Sequence, residues 1–498
     1  MGARGEKRRP SENGSEDCPR GIDAPPRIRC LGSAMSAPAP SAPASHLSLG
    51  DAVSVIIGIV VGAGIYETAP FILSCVASPT EAMLVWALGG ALSVVGALCY
   101  AELATTYPRE GGDYFFLRRA FGPGMGFLFS WSQLVVLMSG SIGLMGFVFA
   151  DYAARLWGLG PAAAPWLAAA AVTGLTLLNL AGLQAGRRTQ NVLTALKVVG
   201  LAAIVVAGLG WPQAPAEPAA VPVAGAGIGL ALILVLYTYG GWNDAAFIVA
   251  EMRDKRRDIP RALLLGTAGV ALVYLLVNAA YLHGLGFARA REAKAIAADV
   301  LQGPLGPAGA AVMSVLVMVS ALGAVNGLTL TGARIYSGAG ADFPALGFLA
   351  RRDARRGVPA AALLAQLGCT LALVFLLGHS AGRALVGGAL AGLGLGPVTW
   401  QGHGGFDTLL KCTAPVFWAF FLLTGISLFV LRSRDPGVER PFPVPFYPFL
   451  PLLFCLTCAW MLQAAIDYAG VLSLVGLVPV VAGWPLYRWL GRAGPVAA

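Results

Sequence analysis

Twelve apolar segments, each about as long as a bilayer-spanning helix of ~20 residues, run through most of this chain. A helix satisfies its own backbone hydrogen bonds, which is what lipid demands of a chain that crosses it. We therefore predict an all-α polytopic membrane protein with 12 transmembrane helices. The predicted spans are 50–75, 82–106, 125–157, 165–183, 190–210, 228–251, 261–285, 307–336, 359–378, 412–432, 447–468 and 470–490.

The composition excludes several other classes of protein. Only 12% of the residues are charged and 57% are hydrophobic, whereas soluble domains carry about 25% charged residues. So few charges cannot cover the apolar surface of a soluble enzyme, and the pattern does not fit a disordered chain or a basic nucleic-acid binder. The 65 glycines suit helices that pack closely in lipid.

The two ends of the chain differ from this apolar middle. Residues 1–45 are rich in Arg, Pro, Ser and Gly, so we predict a disordered cytoplasmic tail. Met35 is a second plausible start, which leaves open whether residues 1–34 belong to the native protein. With the N-terminus inside, 27 of the 34 Lys and Arg residues fall on the cytoplasmic side and 6 outside. Because cations concentrate in cytoplasmic loops, both termini are predicted to be cytoplasmic.

Two spans contain clustered glycines. The first contains Gly62, Ala63 and Gly64, and the sixth contains Gly240 and Gly241. Each glycine weakens a helix by about 1 kcal/mol, and a break frees backbone groups that only a cavity can satisfy. Breaks in spans one and six are typical of two inverted five-helix repeats with a substrate held between them. Close helix packing is the alternative.

A broken helix offers backbone groups to a zwitterion. The half-helix that starts near Gly62 would present free N–H groups to a carboxylate. The carbonyl groups of Val60, Tyr237 and Gly240 could accept hydrogen bonds from an ammonium group. Such a site needs no charged side chain, which favours α-amino acids as the substrate.

Longer motifs around these breaks resemble the amino acid permeases of the amino acid–polyamine–organocation (APC) superfamily. GIVVGAGIYETAP resembles the first-helix motif of that family. The motifs that begin CYAELATTYPREGG and YTYGGWNDAAF resemble its second and sixth helices with the loops that follow. The resemblance covers about residues 47–490, and its further blocks are 323–352 and 406–432.

This resemblance implies a LeuT-like fold, with broken helices 1 and 6 and two C-terminal helices. Within residues 46–432, repeat one would cover about 47–210 and repeat two about 228–432, and residues 433–498 would hold helices 11–12 and a cytoplasmic C-terminus. The implied function is secondary active amino acid transport by alternating access across a plasma membrane, without enzyme activity, cofactor or metal. The implied substrate-binding residues are Val60, Gly62, Ala63, Gly64, Ile65, Tyr237, Tyr239, Gly240, Gly241, Trp242 and Asn243.

Two of these residues carry more specific expectations. Tyr237 matches an aromatic position that covers the substrate as part of a gate. Many relatives have Ser where this chain has Ala63, so a hydroxyl donor to the substrate carboxylate is missing here.

Lys197 lies inside an apolar span, where a charged side chain is costly and usually functional. The resemblance implies that its ammonium group takes the place of a sodium ion and bridges first-helix carbonyls near Gly58 and Ile59 to the eighth helix. The transporter would then be sodium-independent and either proton-coupled or an exchanger. A lysine that extends to the membrane surface is the alternative.

Four acidic residues are candidates for coupling, gating or substrate contact. A buried Glu102 needs a partner, so an ion pair or gate contact is predicted, with a proton relay as the alternative. Asp244 is close enough to the second break to face the substrate. Glu251 precedes a run of charges and suggests a salt bridge, and Glu67 fits either a substrate contact or a capping role.

Other functions and partners are less well supported. A polyamine or organic-amine transporter would need acidic residues at the site, and Asp244 and Glu67 are the candidates. A membrane-embedded enzyme lacks the H-E-x-x-H and G-x-S-x-G signatures. The expected partners are an amino acid, the lipid bilayer and, as a candidate, protons, but no nucleic acid. Residues 158–164 contain no Cys, so no disulfide-linked heavy chain is expected, and residues 379–405 are predicted to be a Gly-rich extracellular insertion.

Overall fold

The computed structural model describes residues 48–62, 64–109, 111–211, 227–247, 252, 254–293, 295–392, 394, 400 and 404–491. Within these residues the chain forms helices and no β-strand. The predicted tail (1–45), Ala63, Glu251 and residues 492–498 lie outside the described residues.

Twenty α-helices follow one another along the described chain. They are α1 (Leu49–Val60), α2 (Gly64–Glu67), α3 (Ala69–Ser74), α4 (Pro79–Thr106), α5 (Asp113–Phe121), α6 (Pro123–Ser132), α7 (Met138–Trp157), α8 (Ala164–Leu180), α9 (Leu183–Gly210), α10 (Gly227–Thr238), α11 (Lys255–Leu285), α12 (Phe287–Glu292), α13 (Ile296–Leu305), α14 (Gly309–Asp342), α15 (Gly347–Ala350), α16 (Ala360–Gly378), α17 (Ser380–Gly392), α18 (Gly405–Arg434), α19 (Phe449–Ala469) and α20 (Ser473–Gly491).

Short segments of other helix types connect several of these helices. A π-helical turn, Gln133–Leu137, joins α6 to α7. The 3₁₀ segments are Pro161–Ala163, Trp242–Phe247, Gly306–Ala308, Pro344–Leu346 and Gly470–Leu472.

Local sequence explains where some helices begin. At α1 the Ser48 hydroxyl accepts a hydrogen bond from the Asp51 N–H, and the Asp51 carboxylate accepts one from the Ser48 N–H. This reciprocal pair satisfies two donors that a helix leaves free at its start. Ser78 accepts in the same way from the Glu81 N–H, and Pro79 follows it as the first residue of α4.

Nine stretches of the described chain are long and apolar enough to cross a membrane. They coincide with ten of the predicted spans, because the last two predicted spans join as Phe449–Leu490. The first and sixth predicted spans are missing from the nine because each is divided into shorter pieces. Large apolar side chains face outward, and Val199, Val481 and Trp489 are 66%, 68% and 69% exposed. These features describe an all-helical polytopic membrane protein.

Two helices touch through their backbones. An added Cβ on Gly284 of α11 would lie 3.0 Å from the Gly208 Cα of α9. An added Cβ on Gly208 would in turn meet the carbonyl group of Ala280. Small residues therefore allow α9 and α11 to approach much more closely than side chains would permit.

The predicted insertion at 379–405 contains a helix. Ser380–Gly392 forms α17, whereas residues 393, 395–399 and 401–403 lie outside the described part of the chain. Part of the predicted insertion is therefore helical, and its glycine clusters do not prevent a helix that packs on a neighbour such as α16.

Candidate functional site

The first glycine cluster interrupts a helix. The α1 helix ends at Val60 and α2 begins at Gly64. Between them the Gly62 N–H donates to the Val60 carbonyl oxygen at 2.7 Å. The amide and the carbonyl that the sequence analysis assigns to the substrate are therefore bonded to each other in this structure. A substrate that uses them must replace this bond.

Lys197 of α9 reaches this break. Its side chain is 1% exposed, and Nζ donates to the carbonyl oxygens of Gly58 at 2.5 Å and Val61 at 2.8 Å. These carbonyls lie in and just past the last turn of α1, where helical partners are missing. On the opposite side, an added Cβ on Gly323 of α14 would lie 2.9 Å from Nζ. Lys197 thus lies between α1 and α14, although its second acceptor is Val61 and not Ile59.

Two hydroxyl groups that the sequence analysis missed also contact the first break. Ser320 of α14 donates to the Val61 carbonyl oxygen at 2.9 Å. Tyr274 of α11 donates to the Val60 carbonyl oxygen at 2.9 Å. Ser320 lies one helical turn before Gly323, on the part of α14 that contacts Lys197, and no local sequence pattern distinguishes this serine.

The second glycine cluster interrupts another helix. The α10 helix ends at Thr238, and the 3₁₀ segment Trp242–Phe247 follows. The turn between them is closed by a bond of 3.0 Å from the Gly240 N–H to the Tyr237 carbonyl oxygen. Gly241 has a φ of +106°, a conformation that other residues rarely adopt.

The two breaks lie against each other. An added Cβ on Gly241 would lie 2.8 Å from Ile59 Cγ2, and one on Gly64 would lie 2.9 Å from Thr238 Cγ2. The hydroxyl groups of Thr68 and Thr238 are also 3.0 Å apart. The structure therefore brings together predicted site residues that are far apart in the sequence.

Aromatic rings surround the second break. Tyr239 is 1% exposed and packs on Trp86 and Tyr274, with ring centroids 5.8 and 5.1 Å away. Trp242 is 4% exposed and packs on the ring of Tyr100 at 5.2 Å. These two rings are part of the protein core, as is Ile65. Tyr237, the predicted gate residue, is half-buried, like Gly240 and Gly241.

Glu102 lies in an ion-pair cluster. Arg432 binds it through two bonds, from Nε to Oε1 at 2.8 Å and from Nη2 to Oε2 at 2.6 Å. Arg440 lies 3.2 Å from Oε1, and the Val444 N–H donates to Oε2 at 2.6 Å. With both oxygens engaged, this buried carboxylate fits a structural ion pair better than a proton relay.

The remaining acidic candidates have different surroundings. Asp244 is buried in the 3₁₀ segment, where the Asn243 side-chain amide donates to its Oδ1 at 3.2 Å. Glu67 is the exposed last residue of α2. The described residues contain no group of three or more His, Cys, Asp or Glu side chains that could hold a metal ion.

Comparisons of the sequence with a family profile and with individual proteins all identify amino acid permeases or transporters. The sequence profile described as "Amino acid permease" matches residues 47–479. The b(0,+)-type amino acid transporter 1 of Mus musculus is 29% identical over 431 residues, which cover 83% of this chain and 81% of the relative. The serine/threonine exchanger SteT of Bacillus subtilis (strain 168) is 28% identical over 451 residues, or 88% of this chain and 94% of SteT. The human large neutral amino acids transporter small subunit 2 is 27% identical over 458 residues, or 89% and 79%.

Proposed function

Because this chain belongs to the amino acid permease family, we propose that it is a sodium-independent secondary transporter of amino acids that works by alternating access. The observation that carries the proposal is the position of Lys197, whose Nζ donates to two α1 carbonyls at the first break. A fixed ammonium group at this point supplies the positive charge that a bound sodium ion would otherwise supply.

The substrate would bind where the two breaks meet. Its carboxylate would take the N–H groups near Gly62, Ala63 and Gly64, and its ammonium group the carbonyls of Val60, Tyr237 and Gly240. The contacts of Gly241 with Ile59 and of Gly64 with Thr238 support this location, because they bring both sets of backbone groups to one place. Binding would exchange the Gly62–Val60 hydrogen bond for bonds to the substrate.

We extend the proposal to the finer architecture. Twelve spans follow if each broken helix is counted as one span and Phe449–Leu490 as two. Two inverted five-helix repeats, both termini in the cytoplasm and a plasma-membrane location complete this part of the proposal. The breaks at corresponding positions support the repeats, and the distribution of cations supports the orientation.

The relatives suggest how transport proceeds and with what partner. SteT is named an exchanger, which favours exchange of one amino acid for another. One human relative is named a small subunit, which favours a partner subunit and runs against the expectation that no disulfide-linked heavy chain is present. The lack of Cys in residues 158–164 argues only against a disulfide there. A partner held by noncovalent contacts is therefore part of the proposal.

Transport by the purified protein in liposomes tests the proposal. We expect labelled amino acids to enter, with the same rate when sodium chloride is replaced by choline chloride. Liposomes without protein are the control. Failure of every common amino acid to enter, or an absolute need for sodium, would overturn the proposal.

The same preparation separates the two transport modes. Exchange requires unlabelled amino acid inside the liposomes, whereas proton symport proceeds into empty liposomes under a pH gradient. Uptake into empty liposomes would exclude obligate exchange.

A further inference from the structure

Two buried carboxylates lie at the interface between α5 and the 3₁₀ segment that follows the second break. Asp113, the first residue of α5, is 2% exposed, and Asp244 of the 3₁₀ segment is 7% exposed. The preceding Gly112 has no side chain, and an added Cβ would lie 2.8 Å from Phe247 Cδ1 and 2.9 Å from the Ala246 carbonyl oxygen. The start of α5 therefore rests directly on the segment that contains Asp244.

Several buried oxygen atoms at this interface have no hydrogen-bond partner. They are Asp113 Oδ1, the hydroxyl oxygens of Tyr100 and Thr424, and Asn243 Oδ1. Tyr100 of α4 and Thr424 of α18 neighbour the Asp113 carboxyl group, and both are fully buried. Buried polar atoms are nearly always satisfied in folded proteins. These unsatisfied oxygen atoms are concentrated around one carboxyl pair, where an added proton would provide a further hydrogen-bond donor.

Neighbouring cations do not neutralise the pair. Arg118 of α5 is bound to Asp342 at 3.0 Å, and Arg432 of α18 is bound to Glu102 at 2.6 Å. Among the described residues, the charged group that acts on Asp113 is Asp244, which repels it. The other ionisable side chains on elements packed against this interface include Asp51, Glu102, Tyr114, Tyr274, Arg334 and Cys458.

Burial of this kind disfavours the charged form of a carboxyl group. The pKa of Asp113 is raised to about 8, chiefly by burial. The negative charge of Asp244 also raises this pKa, whereas the hydroxyl groups of Tyr100 and Thr424 lower it. Two negative charges in a buried interface would be energetically costly. A proton neutralises one of them without requiring space for a larger ligand.

We propose that Asp113 and Asp244 form a proton-binding carboxyl pair, which holds a proton while α5 is packed on the 3₁₀ segment and releases it when water enters that interface. The proposal rests on the transport function proposed above. The interface lies on the predicted cytoplasmic side, so proton binding would be linked to closure on that side. Transport would then depend on pH through these two side chains.

Thermal unfolding of the detergent-purified protein tests proton binding without any transport. The folded pair holds a proton that the unfolded chain releases, so its contribution makes stability fall as pH rises from about 4 toward about 8. We expect Asp113→Asn/Asp244→Asn to lose this part of the pH dependence, because Asn resembles a protonated Asp. Asp467→Asn, which changes an exposed carboxylate, should keep the wild-type dependence.

Transport in liposomes tests the link to function. Above the pKa of Asp113 the protonated fraction of its carboxyl group falls about tenfold per pH unit. We therefore expect the wild-type rate to change with pH over this range, and the rate of the double variant to be flat. Asp113→Glu, which keeps a titratable carboxyl group, should keep a pH-dependent rate, and Asp113→Asn alone serves if the double variant does not fold.

The unfolding measurement tests proton binding, and the transport measurement tests its link to transport, so each can be contradicted without the other. Identical pH dependence of unfolding in the wild type and the Asn variants would overturn proton binding, whatever the transport result. Wild-type transport with an unchanged pH profile in those variants would overturn the link to transport. Absence of all amino acid transport would instead count against the proposed function, while the unfolding measurement still tests the proton site.

Discussion

The two helix breaks are held in different ways. At the first break, side chains from three other helices donate hydrogen bonds to backbone carbonyls: Lys197, Tyr274 and Ser320. At the second break, backbone turn bonds close the chain, and the rings of Tyr239 and Trp242 pack into the core. Directional polar bonds therefore determine one break, and packing and backbone conformation determine the other.

This difference has a functional meaning. A hydrogen bond to a carbonyl group can be exchanged for a bond to a ligand at little net cost, because each is worth about 1 kcal/mol. Packed rings in a close-packed core shift only together with their neighbours. Under the proposed function, the first break would recognise the substrate chemically and the second would move as a unit. Substitutions at the two breaks should consequently have different effects.

The largest effect is expected from Lys197→Met, which removes the charged donor of the first break. Two hydrogen bonds that hold the first break in the conformation proposed to bind substrate are lost. At ~1.5 kcal/mol each, the loss of that conformation corresponds to a roughly hundredfold loss of substrate affinity. The measurement is the substrate-dependent rise in unfolding temperature, together with the transport rate. Lys255→Met, at the first residue of α11, is the matched control and should behave as wild type. Normal affinity in the Lys197 variant would contradict this account of the first break.

An intermediate effect is expected from Gly241→Ala at the second break. The new Cβ would lie 2.8 Å from Ile59 Cγ2, and the φ of +106° is strained for alanine. We expect a loss of ~1–3 kcal/mol in the free energy of unfolding, measured by denaturant unfolding. Gly269→Ala is the control, because an added Cβ there has no neighbour within 4 Å.

A second variant divides this loss into its two causes. Ile59→Ala creates a cavity of its own, so the double variant Ile59→Ala/Gly241→Ala is compared with Ile59→Ala alone; the difference should contain the backbone strain without the steric part. An unchanged stability of Gly241→Ala alone would show that packing does not fix the second break.

The smallest effect is expected from Tyr274→Phe, which removes one hydroxyl from the first break. The Val60 carbonyl oxygen keeps its bond from the Gly62 N–H, so a loss of about 1 kcal/mol is expected. Tyr281→Phe on the same helix is a close control, because its buried hydroxyl has no partner and its removal should cost nothing. Equal losses in the two variants would mean that the bond to Val60 does not contribute.

Patterns local to the sequence predicted the architecture well. Apolar length located the long helices, and the glycine clusters coincide with the helix ends at Val60 and Thr238. Lys197 could be identified from the sequence because a charged side chain inside an apolar span is energetically costly and usually functional. These signals depend on a few neighbouring residues and on the cost of polar groups in lipid.

Partners that come from distant helices could not be predicted in the same way. Ser320 and Tyr274 are ordinary residues in apolar helices, and their role depends on which backbone carbonyl lies opposite. Asp113 lies outside every predicted span, and its burial against the 3₁₀ segment depends on how distant parts of the chain pack. Of the two acceptors of Lys197, Gly58 agrees with the expectation, whereas the other is Val61 and not Ile59, because the chain turns after Val60.

The glycine contact between α9 and α11 has a mechanical consequence. Lys197 lies on α9 and Tyr274 on α11, and the two helices meet backbone to backbone at Gly208 and Gly284. Because the backbones are in direct contact there, we expect that neither helix can tilt without displacing the other. We therefore expect Lys197 and Tyr274 to move together, whereas Ser320 belongs to a different helix, α14. The Val61 carbonyl oxygen accepts hydrogen bonds from both Lys197 and Ser320, so a shift of α14 relative to α9 would change the bonding of this one atom first.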